Sequence, residues 1–200
     1  DVEYLKLTEQ DMKESKTYLP LADKMVFVEY AADRCFDRMN VTMDDGTGLN
    51  LPMAPMYKEN TALKSRYLMG ALVRAYLGKS YEPVEGDDWL MAQDDYDRWA
   101  GSHIFNQLER MKGCGGQVRQ IVFDLLADYR DLEKRLTAEM RGMLVVMNEP
   151  VNRIIATMQS QTTPEAFAQG KERLDELTAE LEEYRAAKEA KLAEGNEKEG

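Results

Sequence analysis

Apolar side chains recur every three or four positions along two long stretches of the C-terminal part of the chain. The first runs Val118, Val122, Leu125, Tyr129, Leu132, Leu136, Met140, Met143 and Met147. The second runs Phe167, Gly170, Leu174, Leu177, Leu181 and Tyr184. That spacing stacks side chains on one face of a helix. It predicts one helix over about residues 117–147 and another from 164 to about 194. Seams this long require burial against a partner helix, in the same chain or another. Pro150 is expected to end the first helix, and Val151, Ile154, Ile155 and Met158 to form a short amphipathic connector. Thr163-Pro164-Glu165 then supplies a cap, a first-turn proline and a first-turn acid. Two helices of equal length on a short connector predict an antiparallel, coiled-coil-like helical hairpin, an arm over 117–194. The stripe gives way to Lys188 and Lys191, and residues 195–200 are read as a disordered tail.

The pattern over residues 1–112 is that of a compact helical domain. Thr8, with Asp11 three positions on, predicts the cap of a short helix ending before Pro20. Pro20 suits the first turn of a second helix. Its Leu21, Met25, Val28, Ala32, Cys35 and Met39 step by four and three and are expected to form a core face. The helical rhythm breaks at 41–51, where Val41-Thr42-Met43 and Leu49-Asn50-Leu51 flank Asp45-Gly46, the signature of a small β-hairpin insertion. Asn60 predicts the cap of a third helix reaching about Leu77, uncharged all round at 67–73 and therefore the most buried. A further helix is expected from near Asp88 past Trp99, with Ser102 recapping a segment to Met111. Three glycines in Gly113-Cys114-Gly115-Gly116 cannot hold a helix, so 113–116 is read as a hinge. The fold class is mainly α: a helical domain with a small hairpin, then a long helical-hairpin arm.

Charge narrows the function. The chain carries a formal net charge of −11, with residues 117–164 balanced and the excess acid on either side. An acidic chain without a basic patch is repelled by phosphate backbones. Arg130, Lys134 and Arg141 step along one helix face, with Arg119 upstream, and support only a weaker reading as a nucleic-acid accessory factor. The bland reading is the solvated flank of a coiled coil, facing Glu176, Glu180 and Glu183. No apolar run approaches the roughly 20 residues of a membrane span, so no membrane partner is expected. Two isolated cysteines, Cys35 and Cys114, form neither a disulfide framework nor a CxxC site and favour a cytoplasmic setting. Residues 1–7 lack a signal-peptide layout, although a chain opening on Asp leaves a removed leader open.

Candidate chemistry is sparse. Seven acids and no base lie between Glu82 and Asp97. Of these, Glu85, Asp88, Asp94 and Asp97 are the candidate ligands for Mg²⁺ or Mn²⁺ in a metal-dependent phosphohydrolase, with Asp94 and Asp97 at helical spacing. Against that, Asp88 serves as a helix cap and Asp94 pairs with Arg98 in the bland reading, and no second acidic pair matches. His103 is the only histidine, and a neighbouring Ser102 does not face it on a helix, so no nucleophile–base pair is complete. Cys35 reads as core, and Cys114 as a hinge thiol near Arg110 and Lys112. Trp89, Tyr96 and Trp99 form a possible docking patch, since Trp and Tyr dominate interface hot spots. The 13 methionines are read first as core gap-fillers. No cofactor is expected outside the phosphohydrolase alternative.

The favoured function is therefore non-enzymatic: an interaction or assembly subunit acting through its arm, by a protein partner or by self-association. The texture of a small acidic helical protein with a charged tail is similar to that of accessory proteins of bacterial phages and mobile elements.

Overall fold

The structure, a computed structural model, describes residues 5–40, 42–44, 50–52, 54–160 and 176–179. It is mainly helical, with α1 (Glu9–Glu14), α2 (Leu21–Arg34), α3 (Thr61–Gly70), α4 (Gln93–Gly101), α5 (Ile104–Met111) and the long α6 (Gly116–Ser160). Among the described residues six short strands, β1 (Phe36–Met39), β2 (Thr42–Asp44), β3 (Asn50–Pro52), β4 (Met56–Glu59), β5 (Pro83–Val84) and β6 (Asp87–Met91), pair as β1–β4, β2–β3 and β5–β6. The chain divides into two compact units. One comprises Asp1–Asp37 with Glu59–Met143, the other Arg38–Lys58 with Leu144–Gly200.

In the first unit, local signals act as the sequence predicts. Thr8 Oγ1 accepts from the Asp11 amide at 3.2 Å while Asp11 accepts from the Thr8 amide at 2.8 Å, a reciprocal cap for α1. Asn60 Oδ1 accepts from the Leu63 amide and caps α3. Past Gly70 the helix widens into a π-helical segment, Ala71–Tyr76, in which the Leu77 amide donates to the Leu72 carbonyl five positions back. Gly78, at φ 63°, lies just beyond it. The segment buries Ala71, Leu72, Val73 and Tyr76, so the uncharged stretch 67–73 lies in the core while Arg74 is exposed.

Other predicted elements are rearranged. The second helix stops at Arg34, and residues 36–39 are strand β1 rather than helix. Its buried face is Lys24, Phe27, Val28, Ala31 and Ala32, whereas Leu21 and Met25 point outward. The rotation places Lys24 against two aspartates, which an apolar count could not foresee. The helix expected from Asp88 is instead a β5–β6 hairpin followed by α4. Gly86, at φ 82°, permits the turn, and Asp87 Oδ1 accepts from the amides of Trp89 and Leu90, a local competitor to helix. Ser102 does not cap α5. His103 holds the capping position at φ 50°, while buried Ser102 donates to the Arg98 carbonyl and accepts from the Leu5 amide. Gln107 completes the stitch, accepting from the Leu7 amide and donating to the Leu5 carbonyl.

The hairpin predicted at 41–51 is present as β2 and β3 in antiparallel register, Met43 opposite Leu51; its turn, 45–49, lies outside the described residues. Pro150 does not end the long helix, which runs on to Ser160. A proline deprives the helix of one hydrogen bond, and here the second unit fixes the chain on both sides of it. Asn148 accepts from the Tyr57 amide at 2.8 Å and donates to the Tyr57 carbonyl at 2.9 Å. Val151 and Ile154 bury against Ala54. The residues read as a connector are therefore the last turns of α6. Of the helix expected from 164 to about 194, residues 176–179 are helical; the rest, with the tail at 195–200, lies outside the described residues.

Candidate functional site

The first seam is the spine of the first unit's core. Val118, Val122, Leu125, Tyr129, Leu132, Leu136 and Met140 are buried in one cluster with Met12, Phe27, Leu72, Tyr76 and Leu108, and Met143 packs at its edge. Helices of the same unit thus cover this face. Of the second seam, Leu177 is half-buried in the second unit and lines a small recess with Met147 and Val151. Phe167, Gly170, Leu174, Leu181 and Tyr184 lie outside the described residues.

Next to the seam sits a buried ionic knot. Lys24, 3% exposed, reaches Asp128 Oδ1 at 2.5 Å and Asp131 Oδ2 at 3.0 Å. Asp128 Oδ2 also accepts from the Leu19 amide and the Tyr76 hydroxyl, each at 2.9 Å, and Asp131 accepts from Arg135 at 2.9 Å. Burial disfavours the Lys24 charge, but the hydrogen bonds from Asp128 and Asp131 outweigh it and raise the lysine above its ordinary value. Arg135, then Lys24, holds Asp131 below the usual aspartate range, and Lys79 does the same for Asp11. The lysine and the two carboxylates are taken up with one another and with Leu19, Tyr76 and Arg135, so the knot holds register.

The shifts set the pH response. Lys24 is raised on folding, so its contribution is present below about pH 10 and is lost as pH climbs through the folded value. Asp131 and Asp11 are lowered, so theirs is present above about pH 4 and is lost as pH falls. Urea midpoints measured across pH should hold level from about pH 5 to 9 and drop below about pH 4. A midpoint unchanged at pH 3 would remove these aspartates from the account.

The metal candidates do not converge on one point. Glu85 lies in the β5–β6 turn, Asp88 on β6, and Asp94 and Asp97 on the exposed side of α4. The Asp88 carbonyl accepts from Arg74 and Tyr81, and Asp97 accepts from Gln93. Arg98 pairs with Asp95 at 2.5 Å, not with Asp94. Among the described residues no three His, Cys, Asp or Glu side chains are grouped so as to hold a metal ion. The aromatic patch also disperses. Trp99 is buried, Trp89 packs edge-on against Phe27 with ring centroids 5.4 Å apart, and only Tyr96 faces a cavity. Cys35 is fully buried, and burial pushes its thiol up to about 12. Cys114 is half-buried at the edge of the core.

Arg130 pairs with Glu109 of α5 at 3.4 Å; Lys134 and Arg141 are exposed on α6. Of the acids expected opposite them, Glu176 is exposed, and Glu180 and Glu183 lie outside the described residues.

Among the described residues, two places for contact stand out in the first unit. One is a cavity of about 360 Å³ in the first unit, between α3, α4, α5 and α6, with Tyr96, Phe105 and Tyr129 on its walls. The other is the outward face at the start of α2. Tyr18 is 61% exposed, Leu21 53%, Met25 38% and Val26 61%. Sequence reasoning missed this face because its periodicity is that of a core helix. The signal lay in Lys24, whose place between Leu21 and Val28 conflicts with either side being wholly apolar. No protein-family model, no curated protein and no solved structure matches the chain.

Proposed function

We propose that the protein is a non-enzymatic assembly subunit that associates with a second copy of itself through the outer face of α2. The observation that carries this reading is the exposure of Leu21 and Met25 on α2, with exposed Tyr18 just before the helix. Exposed apolar side chains that cluster, rather than scatter, mark contact surfaces. Leu21 and Met25 lie one turn apart, so they present one ridge to a partner helix. An isologous contact needs only one such patch per copy. The long seam of α6 is occupied by the chain's own core over 118–140, so over that stretch it is not the assembly surface.

Light scattering coupled to size exclusion tests this on the full chain. The expected result is a dimer that Leu21→Asp with Met25→Asp converts to a folded monomer. Association should strengthen with added salt, because copies of formal charge −11 repel one another and salt screens that repulsion. A full-length monomer at all salt concentrations, or a dimer indifferent to the double substitution, would end the proposal.

A further inference from the structure

The cavity of the first unit has a composition suited to one kind of ligand. Its volume, about 360 Å³, falls within the range of small-molecule sites, roughly 300–1,000 Å³. Leu68, Met69 and Leu126 close it on the apolar side, and all three are buried. Three aromatic rings stand around it: Tyr96 from α4, Phe105 from α5 and Tyr129 from α6. Phe105 and Tyr129 are tilted at 45° with centroids 5.6 Å apart, so they form two walls of a corner and not a stack. Aromatic faces carry negative electrostatic potential and attract cations placed over them.

The charged groups at the rim sharpen the choice. Glu109, Arg130 and Glu133 line the opening. Glu109 is matched by Lys112 at 2.6 Å and more distantly by Arg130 at 3.4 Å. Among the described residues the Glu133 carboxylate makes no ion pair. Its charge acts on the cavity wall: burial first, then Glu133 and Tyr96, raise the Tyr129 hydroxyl well above its ordinary value. A partly open aromatic corner beside a carboxylate that, among the described residues, makes no ion pair disfavours anions. It also discriminates against strongly hydrated metal ions, which give up water reluctantly. It favours a bulky cation whose charge is spread over methyl groups.

We propose that this cavity binds the methylated ammonium head group of a small organic cation, held over Tyr96, Phe105 and Tyr129 with Glu133 as its counter-charge. Arg130 opposes the ligand from the rim. The site is separate from the α2 face, so its occupancy does not depend on self-association.

Isothermal titration calorimetry on the full chain, with choline as probe, tests the proposal. Dimethylbutanol, the neutral carbon isostere of choline, is the control for shape alone. Choline is expected to bind in the millimolar range or tighter, and the isostere roughly tenfold more weakly. Phe105→Ala should weaken choline binding about tenfold, and Phe105 is exposed enough for the unit to survive it. Glu133→Gln should weaken binding and Arg130→Gln should tighten it, an opposition of sign that a general structural disturbance does not produce. A peptide carrying trimethyllysine forms a second arm: tighter binding than choline assigns the head group to a protein tail, weaker binding to a free small molecule. Equal binding of choline and its isostere, absence of choline binding at millimolar concentration, or shifts of the same sign in the two charge variants would overturn the proposal.

Discussion

Asp128→Ala is expected to destabilise the first unit by about 3–5 kcal/mol, the cost of stripping a buried charge of its nearer partner and two further donors of their acceptor. Asp128 is the hub of the ionic knot. It holds Lys24 at 2.5 Å, the Leu19 amide at 2.9 Å and the Tyr76 hydroxyl at 2.9 Å. Removing it orphans the Leu19 amide and the Tyr76 hydroxyl at once and leaves Lys24, 3% exposed, with Asp131 alone. Lys24→Met should cost less, about 1–3 kcal/mol, because Asp128 keeps the Leu19 and Tyr76 donors and Asp131 keeps Arg135. Urea unfolding of both variants measures the order. A Lys24→Met loss equal to or larger than that of Asp128→Ala would show that the lysine, not the aspartate, organises the knot.

The second large effect concerns backbone clearance. An alanine Cβ at position 70 would lie 2.8 Å from the Trp89 carbonyl oxygen and 3.0 Å from the Tyr81 hydroxyl. Both atoms belong to one arrangement, since the Tyr81 hydroxyl donates to that carbonyl at 3.1 Å. Strand β6 must retreat from α3 or the helix must shift, so Gly70→Ala should destabilise by about 1–3 kcal/mol despite alanine's better helix propensity. Gly142 provides the contrast. It lies inside α6, where among the described residues an alanine Cβ would meet nothing within 4 Å, and Gly142→Ala should stabilise by roughly 0.5–1 kcal/mol. Thermal unfolding of the pair separates the two cases. Matching shifts of the same sign would mean that helix propensity, not space, governs position 70.

These residues also show what the sequence could disclose. The reciprocal cap of Thr8 and Asp11, the cap at Asn60 and the hairpin at 41–51 are local arrangements, decided by neighbours a few positions apart, and they were legible. The seam from Val118 to Met140 was legible as buried for the same reason. What buries it was not, because three-four spacing is identical whether the partner is an arm helix or the chain's own core. Pro150 misled because its helix-breaking cost of about 3 kcal/mol is a local sum, whereas Asn148, Val151 and Ile154 fix the helix through contacts with residues 54 and 57. The acidic run gave no warning that Asp87 would brace a turn or that Asp95 would accept from the Glu82 amide. The aromatic cavity joins Tyr96, Phe105 and Tyr129 from three helices, and no spacing rule links positions that far apart. Two carboxylates one turn apart, Asp128 and Asp131, beside a seam were a sign of a buried cation on the facing element, and that sign could have found Lys24.

Cys35 turns the packing of the first unit into something that can be timed. Its thiol is fully enclosed and its ionisation is pushed up to about 12, so at neutral pH it offers neither thiolate nor access to an alkylating reagent. Modification must wait for an opening event that exposes the end of α2. The lag between labelling of half-buried Cys114 and labelling of Cys35 is therefore a clock for that opening, readable by mass without a ligand, a partner or an assay of activity.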